Sequence, residues 1–181
     1  MFRKTLFALT LLAFSATASA EAPKENGIYI GLSGGTAIFD DDGGIGFFDD
    51  QDTAVQGYIG YKFFKHFGIE ARVADFGGYS DGFDSLDISS VSVHAVGYIP
   101  FGTSGWELFG QIGYAQMSEE VAGFFDETDT AGTAGIGVRW HINPSFAVGI
   151  QVDAYVWEND LVGSNYDLSI GTQLLSVQFS F

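Results

Sequence analysis

The sequence contains no cysteine and very few basic residues. None of the 181 residues is Cys, which excludes a disulfide scaffold and any metal site built from thiolates. Only 7 residues are Lys or Arg, against 23 Asp and Glu, and the formal net charge is −16. A protein with this balance has no basic surface to neutralise nucleic-acid phosphates. Nucleic-acid binding is therefore excluded as a function.

Long apolar runs are also scarce, and the clearest one lies at the start of the chain. Arg3 and Lys4 precede the apolar run 6–14, and the small residues Ala18 to Ala20 follow it, which is the pattern of a cleaved secretory signal. A membrane-spanning helix would need roughly 20 apolar residues. We expect residues 1–20 to be removed and a short periplasmic segment, 21–26, to precede one domain at 27–181. With no later apolar run, the exported chain is either soluble outside the cytoplasm or a membrane β-barrel.

Glycine and aromatic residues, by contrast, are abundant, and apolar residues recur at every second position. The chain has 25 Gly, and 16% of its residues are aromatic. In 53–63, Val55 and Ile59 share one face, whereas Gln56 and Lys62 share the other, which is the pattern of a strand with two different faces. The same alternation predicts eight strands, at 27–39, 53–63, 67–76, 86–99, 106–117, 130–141, 145–157 and 166–181.

The connections between these strands are alternately short and long. Short links are predicted at 64–66, 100–105 and 142–144. The longer connections are rich in Asp, Glu, Gly and Ser, and are predicted at 40–52, 77–85, 118–129 and 158–165. This alternation is typical of an all-β, up-and-down transmembrane barrel with eight antiparallel strands, short periplasmic turns and longer acidic extracellular loops. A soluble barrel or sandwich is the competing interpretation, because its strands would alternate too.

The position of the aromatic residues favours the membrane barrel. A membrane interface attracts a belt of aromatic side chains, whereas a soluble core has no reason to collect them at one rim. Aromatic residues flank all three short links and the end of the chain: Phe63, Phe64, Phe67, Tyr98, Phe101, Trp106, Trp140, Phe146, Phe179 and Phe181.

The last predicted strand and three inner stretches resemble a known family. Apolar residues from Leu175 to Phe181 alternate with polar ones, and similar patterns occur at 57–63, 93–98 and 135–140. Over 27–181 the chain resembles the small eight-stranded outer-membrane barrels of the OmpA/OmpX type. The resemblance implies a place in the bacterial outer membrane, among its lipids and lipopolysaccharide. It also implies that Phe179 and Phe181 form an assembly signal read by the barrel-assembly machinery. We expect a monomer without a cofactor.

The polar face of the predicted strands contains equal numbers of cationic and anionic residues. An eight-stranded barrel has an interior only about wide enough for side chains, so these groups should pair across it. The lumen is therefore expected to be a neutral plug, and a narrow path for ions or small solutes is the alternative. The charged residues are Lys62, Glu70, Arg72, Glu107, Arg139 and Asp153.

No catalytic residues are predicted. Ser92 and His94 share the inward face of one strand, and Glu107 lies on the next strand. However, the Cα atoms of residues two positions apart on a strand, such as Ser92 and His94, are separated by roughly 6.5–7 Å. Such a site would also lie inside the plug, away from lipid headgroups at the outer face. A lipid-modifying enzyme is the second alternative. The favoured interpretation is a non-enzymatic, surface-exposed protein with a structural or interaction role.

Most of the acidic residues fall in or beside the predicted long loops. These account for 18 of the 23 acids, and no Lys or Arg accompanies them. Clustered carboxylates suit calcium or magnesium, so divalent cations are a candidate partner. Asp40, Asp41 and Asp42 lack EF-hand spacing, so no metal site is assigned to them. The first candidate is the wider cluster of Asp40, Asp41, Asp42, Asp49, Asp50 and Asp52. A well-hydrated acidic surface is the competing explanation.

Overall fold

The computed structural model describes residues 22–40, 51–80, 85–121, 125–159 and 166–181. Every strand is antiparallel to its neighbours, and β8 pairs with β1 to close a barrel in chain order. The predicted fold of eight antiparallel strands is thereby confirmed. The predicted signal, 1–20, lies outside the described residues. The strands are β1 (Gly27–Asp40), β2 (Gln51–Phe64), β3 (Phe67–Ser80), β4 (Ser85–Pro100), β5 (Trp106–Val121), β6 (Phe125–Asn143), β7 (Phe146–Asn159) and β8 (Tyr166–Ser180).

Three tight connections lie at one end of the barrel, which we call the short-turn end. They are 65–66, 101–105 and 144–145, and the first residue of β1 and the last of β8 lie at the same end. The opposite end is the loop end. Its connecting residues, 41–50, 81–84, 122–124 and 160–165, lie outside the described residues.

At the loop end, β5 and β6 are longer than the sequence pattern predicted. Their pairing continues through Ser118 opposite Thr128 to Val121 opposite Phe125, within the predicted loop 118–129. Backbone hydrogen bonds sustain a strand pair whatever its side chains are. Apolar and polar residues alternate along a strand only where one of its faces lies in an apolar environment. The alternation is therefore lost where both faces of the strand are polar.

The outward face of the barrel is apolar. Large side chains such as Leu32, Val73, Ile112 and Leu175 are exposed on it, together with many others of the same kind. A continuous apolar surface of this extent is not compatible with water and is expected of a barrel that faces lipid. The described residues include no helix long and apolar enough to cross a membrane.

Exposed aromatic rings surround the short-turn end. Phe63 stacks on Phe67 with ring centroids 6.0 Å apart, and Trp106 stacks on Trp140 at 6.1 Å. Tyr98, which the sequence placed in this belt, is an exception and the prediction was wrong for it. It shares the inward face of β4 with His94 and is only 2% exposed, so its ring lies in the lumen.

The lumen divides into a polar half and an apolar half. Most polar and charged side chains lie in the half nearer the short-turn end, although Ser90 and Thr172 are buried at the loop-end level, opposite Ala74 and Ala37. Tightly buried side chains fill the loop-end half and form what we call the apolar layer: Ala37, Ala54, Ala74, Phe76, Ile88, Ala115, Met117, Ala131, Tyr155, Ile170 and Leu174. The sequence pattern predicted a polar or small inward face and placed Tyr155 in the lumen, but it did not predict a separate apolar layer. Many members of the layer are alanines, which contribute little to an alternating pattern.

Two tyrosine–glycine pairs allow large rings to lie flat inside the narrow lumen. Gly60 is the cross-strand partner of Tyr29, and Gly31 is the partner of Tyr58. A Cβ atom at Gly60 would lie 2.1 Å from Tyr29 Cζ, and one at Gly31 would lie 2.2 Å from Tyr58 Cζ. Only glycine permits this close approach, so the two rings depend on both glycines for their position.

Candidate functional site

All six charged residues assigned to the lumen by sequence point inward and are buried. They come from five strands, because the strict alternation along each strand puts every second residue on the inward face. The structure separates them into two groups, which we call the Arg72 cluster and the Glu107 cluster.

The Arg72 cluster lies near the middle of the lumen and joins opposite walls. The Arg72 guanidinium donates through Nε to Glu70 Oε1, through Nη1 to Asp153 Oδ2 at 3.1 Å, and through Nη2 to Gln111 Oε1. Asp153 also accepts from Gln111 Nε2 at 2.5 Å and from Gln151 Nε2 at 2.8 Å. One guanidinium therefore ties β3 to β5 and β7 across the barrel.

The Glu107 cluster lies at the short-turn end of the lumen. Lys62 Nζ donates to Glu107 Oε2 at 2.6 Å. Arg139 is the direct cross-strand partner of Glu107, yet its Nη1 lies 3.8 Å from Glu107 Oε1. The Arg139 guanidinium also lies 4.5 Å from the centroid of the Phe109 ring, within cation–π range. His141 Nε2 lies 3.5 Å from Glu107 Oε1, which is too far for a normal hydrogen bond.

Three tyrosines connect the two clusters. Arg72 Cζ lies 5.7 Å from the Tyr58 ring centroid, and Lys62 Nζ lies 4.2 Å from the Tyr98 ring centroid. Tyr29 joins the two rings, because its hydroxyl is 2.7 Å from that of Tyr98 and its ring meets Tyr58 edge to face at 6.3 Å. A continuous series of buried cation–π, aromatic and hydroxyl contacts therefore runs from one cluster to the other.

The charges balance across the lumen but not within each cluster. The Arg72 cluster holds one cation and two carboxylates, whereas the Glu107 cluster holds two cations and one carboxylate. Their opposite excesses leave the six charges neutral in sum. The sequence predicted three charges of each sign, but only the barrel decides which ones meet.

The structure does not assemble the serine, histidine and glutamate considered for catalysis. His94 Nε2 lies 3.4 Å from Thr133 Oγ1, and Glu107 is held by Lys62. Ser92 Oγ has no hydrogen-bond partner among the described residues. These positions leave the Ser92 hydroxyl without a general base.

For metal binding, the described residues include no group of three or more His, Asp or Glu placed to hold an ion. Asp40 is the last residue of β1, and Asp41 and Asp42 lie outside the described residues. The acidic candidates therefore stay a prediction.

Comparison with known proteins gives one family and several structures of the same shape. A family model described as an outer membrane protein beta-barrel domain matches residues 6–181. Among solved structures, Neisserial surface protein A is similar with a TM-score of 0.73 and 13% identity, over 87% of this chain and 99% of that one. Comparison with curated proteins finds no match.

Two further solved structures have the same fold. The attachment invasion locus protein Ail of Yersinia pestis, solved with the heparin analogue sucrose octasulfate, has a TM-score of 0.60 and 18% identity, over 87% of this chain and all of that one. OprG from Pseudomonas aeruginosa has a TM-score of 0.58 and 14% identity, over 88% and 99% of the two chains. Identities this low show a shared fold alone.

Proposed function

This chain belongs to the outer membrane protein β-barrel domain family, and from that premise we propose that it is a non-enzymatic surface barrel whose lumen is closed. Membership implies a place in the bacterial outer membrane, in contact with its lipids and lipopolysaccharide. The barrel would act as a rigid support that presents its loop end to the outside and its short-turn end to the periplasm.

The observation that carries this proposal is the Arg72 cluster, which crosses the lumen beneath the apolar layer. An ion passing through would have to separate Arg72 from Glu70 and Asp153, and breaking a buried pair costs roughly 3–5 kcal/mol. It would also have to cross the apolar layer around Phe76 and Met117, where polar groups such as Ser90, Thr172 and Asp129 are too few to replace its hydration shell. These two barriers in series favour a closed barrel over a small porin.

Conductance in planar lipid bilayers tests the closed lumen. We expect the folded wild-type protein to add no steady conductance to that of the bare bilayer in molar potassium chloride. Heat-dependent gel mobility of the same sample, together with protease protection in vesicles, would show that folded protein was inserted. A steady conductance that scales with inserted protein would reject the closed barrel and establish the small porin in its place.

The absence of enzymatic activity is part of the same proposal. Its support is that Glu107, the acid considered for catalysis, already forms the Lys62 ion pair, and that the space beside it has room for only about one water molecule. Lipid analysis of cells with and without the gene is the direct test. A lipid species present only when the wild-type protein is expressed would overturn the assignment.

We also propose that divalent cations associate with the acidic loop end. Ail was solved with a polyanion, but the net charge of −16 and the acidic loop-end sequences of this chain disfavour such a ligand here. Limited proteolysis at fixed ionic strength, with millimolar calcium or with chelator, tests the idea. We expect calcium to protect the wild type more than a variant with Asp40, Asp41 and Asp42 changed to Asn. Equal cleavage in every condition would leave only a hydrated acidic surface.

A further inference from the structure

A small cavity opens at the short-turn end of the lumen, between the Glu107 cluster and the segment that precedes β1. Its volume is about 10 Å³, which is room for about one water molecule. Lys24 forms part of its wall and donates from Nζ to the backbone carbonyl of Ser180 at 3.2 Å. The polar side chains that line it include Lys24, Lys62, Glu107, Arg139, His141 and Gln178.

Buried donors around this cavity lack acceptors. Arg139 Nε and both ring nitrogens of His141 have no hydrogen-bond partner among the described residues, although the two residues are only 2% and 3% exposed. A histidine ring carries at least one N–H in any protonation state, so at least one donor of His141 is unused. A buried unsatisfied donor is unfavourable, so both side chains favour an added acceptor.

The charges lining the cavity are mainly positive. Lys24, Lys62 and Arg139 are cations, and Glu107 is the only carboxylate among the lining residues. Its Oε2 accepts from Lys62 at 2.6 Å, and its Oε1 lies 3.5 Å from His141 Nε2 and 3.8 Å from Arg139 Nη1, neither of which is hydrogen-bonded to it. Gln178, another lining residue, has an unused acceptor at Oε1, which a water could satisfy. The unused donors of Arg139 and His141 outnumber it and the charge is positive in excess, and both features are those of a site for an anion.

We propose that this cavity binds one small monatomic anion of the chloride type. Arg139 Nε and a ring N–H of His141 would donate to the ion, and Lys24 and Lys62 would supply positive charge. The volume disfavours a tetrahedral oxyanion such as sulfate or phosphate, which is several times larger than a water molecule. The ion would reach the cavity from the short-turn end, where Lys24 is only half-buried and Asn26 is exposed.

Two measurements on the folded barrel in detergent test the site. The first is the line width of the chloride-35 NMR signal, with bromide as competitor. The second is the midpoint temperature of the heat-dependent gel shift, in sodium chloride, sodium sulfate or sodium gluconate at one ionic strength. At chloride about five times its Kd we expect the midpoint to rise by about 2–4 °C over gluconate, and sulfate to give no such rise.

Three variants separate a specific site from a general salt effect. Arg139→Gln and His141→Gln should each abolish both the chloride-dependent rise and the broadening that bromide displaces. Lys65→Gln is the matched control, because it removes an exposed cation from the turn at the same end and should respond to chloride as the wild type does. If Arg139→Gln fails to fold, His141→Gln decides alone.

Equal midpoints of the wild type in chloride and gluconate, without displaceable broadening, would mean that the cavity holds only water. The same chloride response in all variants would also overturn the site.

Discussion

Replacing Arg72 with Met should destabilise the barrel by about 3–5 kcal/mol, among the largest effects of any single substitution in the lumen. The change removes the cation that Glu70 and Asp153 share and leaves two carboxylates buried without it. It also leaves Gln111 Oε1 without its donor. Equilibrium unfolding in urea, with the protein in lipid vesicles at neutral pH, measures the loss.

A combined variant shows whether the loss comes from the unpaired carboxylates. Arg72→Met together with Glu70→Gln and Asp153→Asn should lose much less stability than the sum of the three single changes, because no buried charge stays unpaired. Lys65→Met, which removes an exposed cation, should change stability by no more than about 0.5 kcal/mol. If the three changes are additive, the groups do not act as a network.

Deleting Phe181 should lower the amount of protein inserted in the outer membrane several-fold while export continues. We propose this because Phe179 and Phe181 fit the terminal aromatic signal that the barrel-assembly machinery reads. The Phe181 backbone N–H donates to the Ile28 carbonyl at 2.9 Å, and its ring is 62% exposed and lies 5.1 Å from that of Phe179. Heat-dependent gel mobility of outer-membrane fractions measures the inserted protein.

Refolding of the purified deletion variant without cellular machinery distinguishes the loss of an assembly signal from a loss of barrel stability. The deletion removes one backbone hydrogen bond, worth about 0.5–1.5 kcal/mol, so refolding into lipid vesicles should be nearly as complete as for the wild type. Phe101→Ala is the matched control in cells, because it removes another exposed aromatic side chain at the short-turn end. It should insert normally. Equal insertion of the deletion variant and the wild type would refute the assembly signal.

The face of the barrel on which a residue lies was predictable from the alternation within its own strand. Lys62 and Arg139 were placed in the lumen because they occupy the polar face of strands whose other face is apolar, and a shift of one residue would have reversed both faces. The aromatic rim followed from the same pattern at the strand ends, except at Tyr98. Its position in the sequence suits the rim, but its place in the alternation of β4 directs its ring inward.

Contacts across the barrel were not predictable. Arg139 meets Glu107 because the β5–β6 register places them opposite each other, while Arg72 reaches Asp153 on a strand 81 residues away. The first contact depends on the register of one hairpin, and the second on the stagger accumulated from strand to strand around the closed sheet. A sequence shows which charged side chains point inward, but not which of them lie at the same height along the barrel axis.

The sequence by itself determined the strands, the direction of their faces and the membrane character of the outer surface. These properties follow from period-two alternation, which each strand carries within its own residues. Closure of the sheet decided the division of the lumen into an apolar layer and two charge clusters, the tyrosine contacts between the clusters, and the electropositive cavity beside Arg139 and His141. These features require side chains from distant strands to meet in a space only about as wide as the side chains themselves, and that space exists only once β8 has paired with β1.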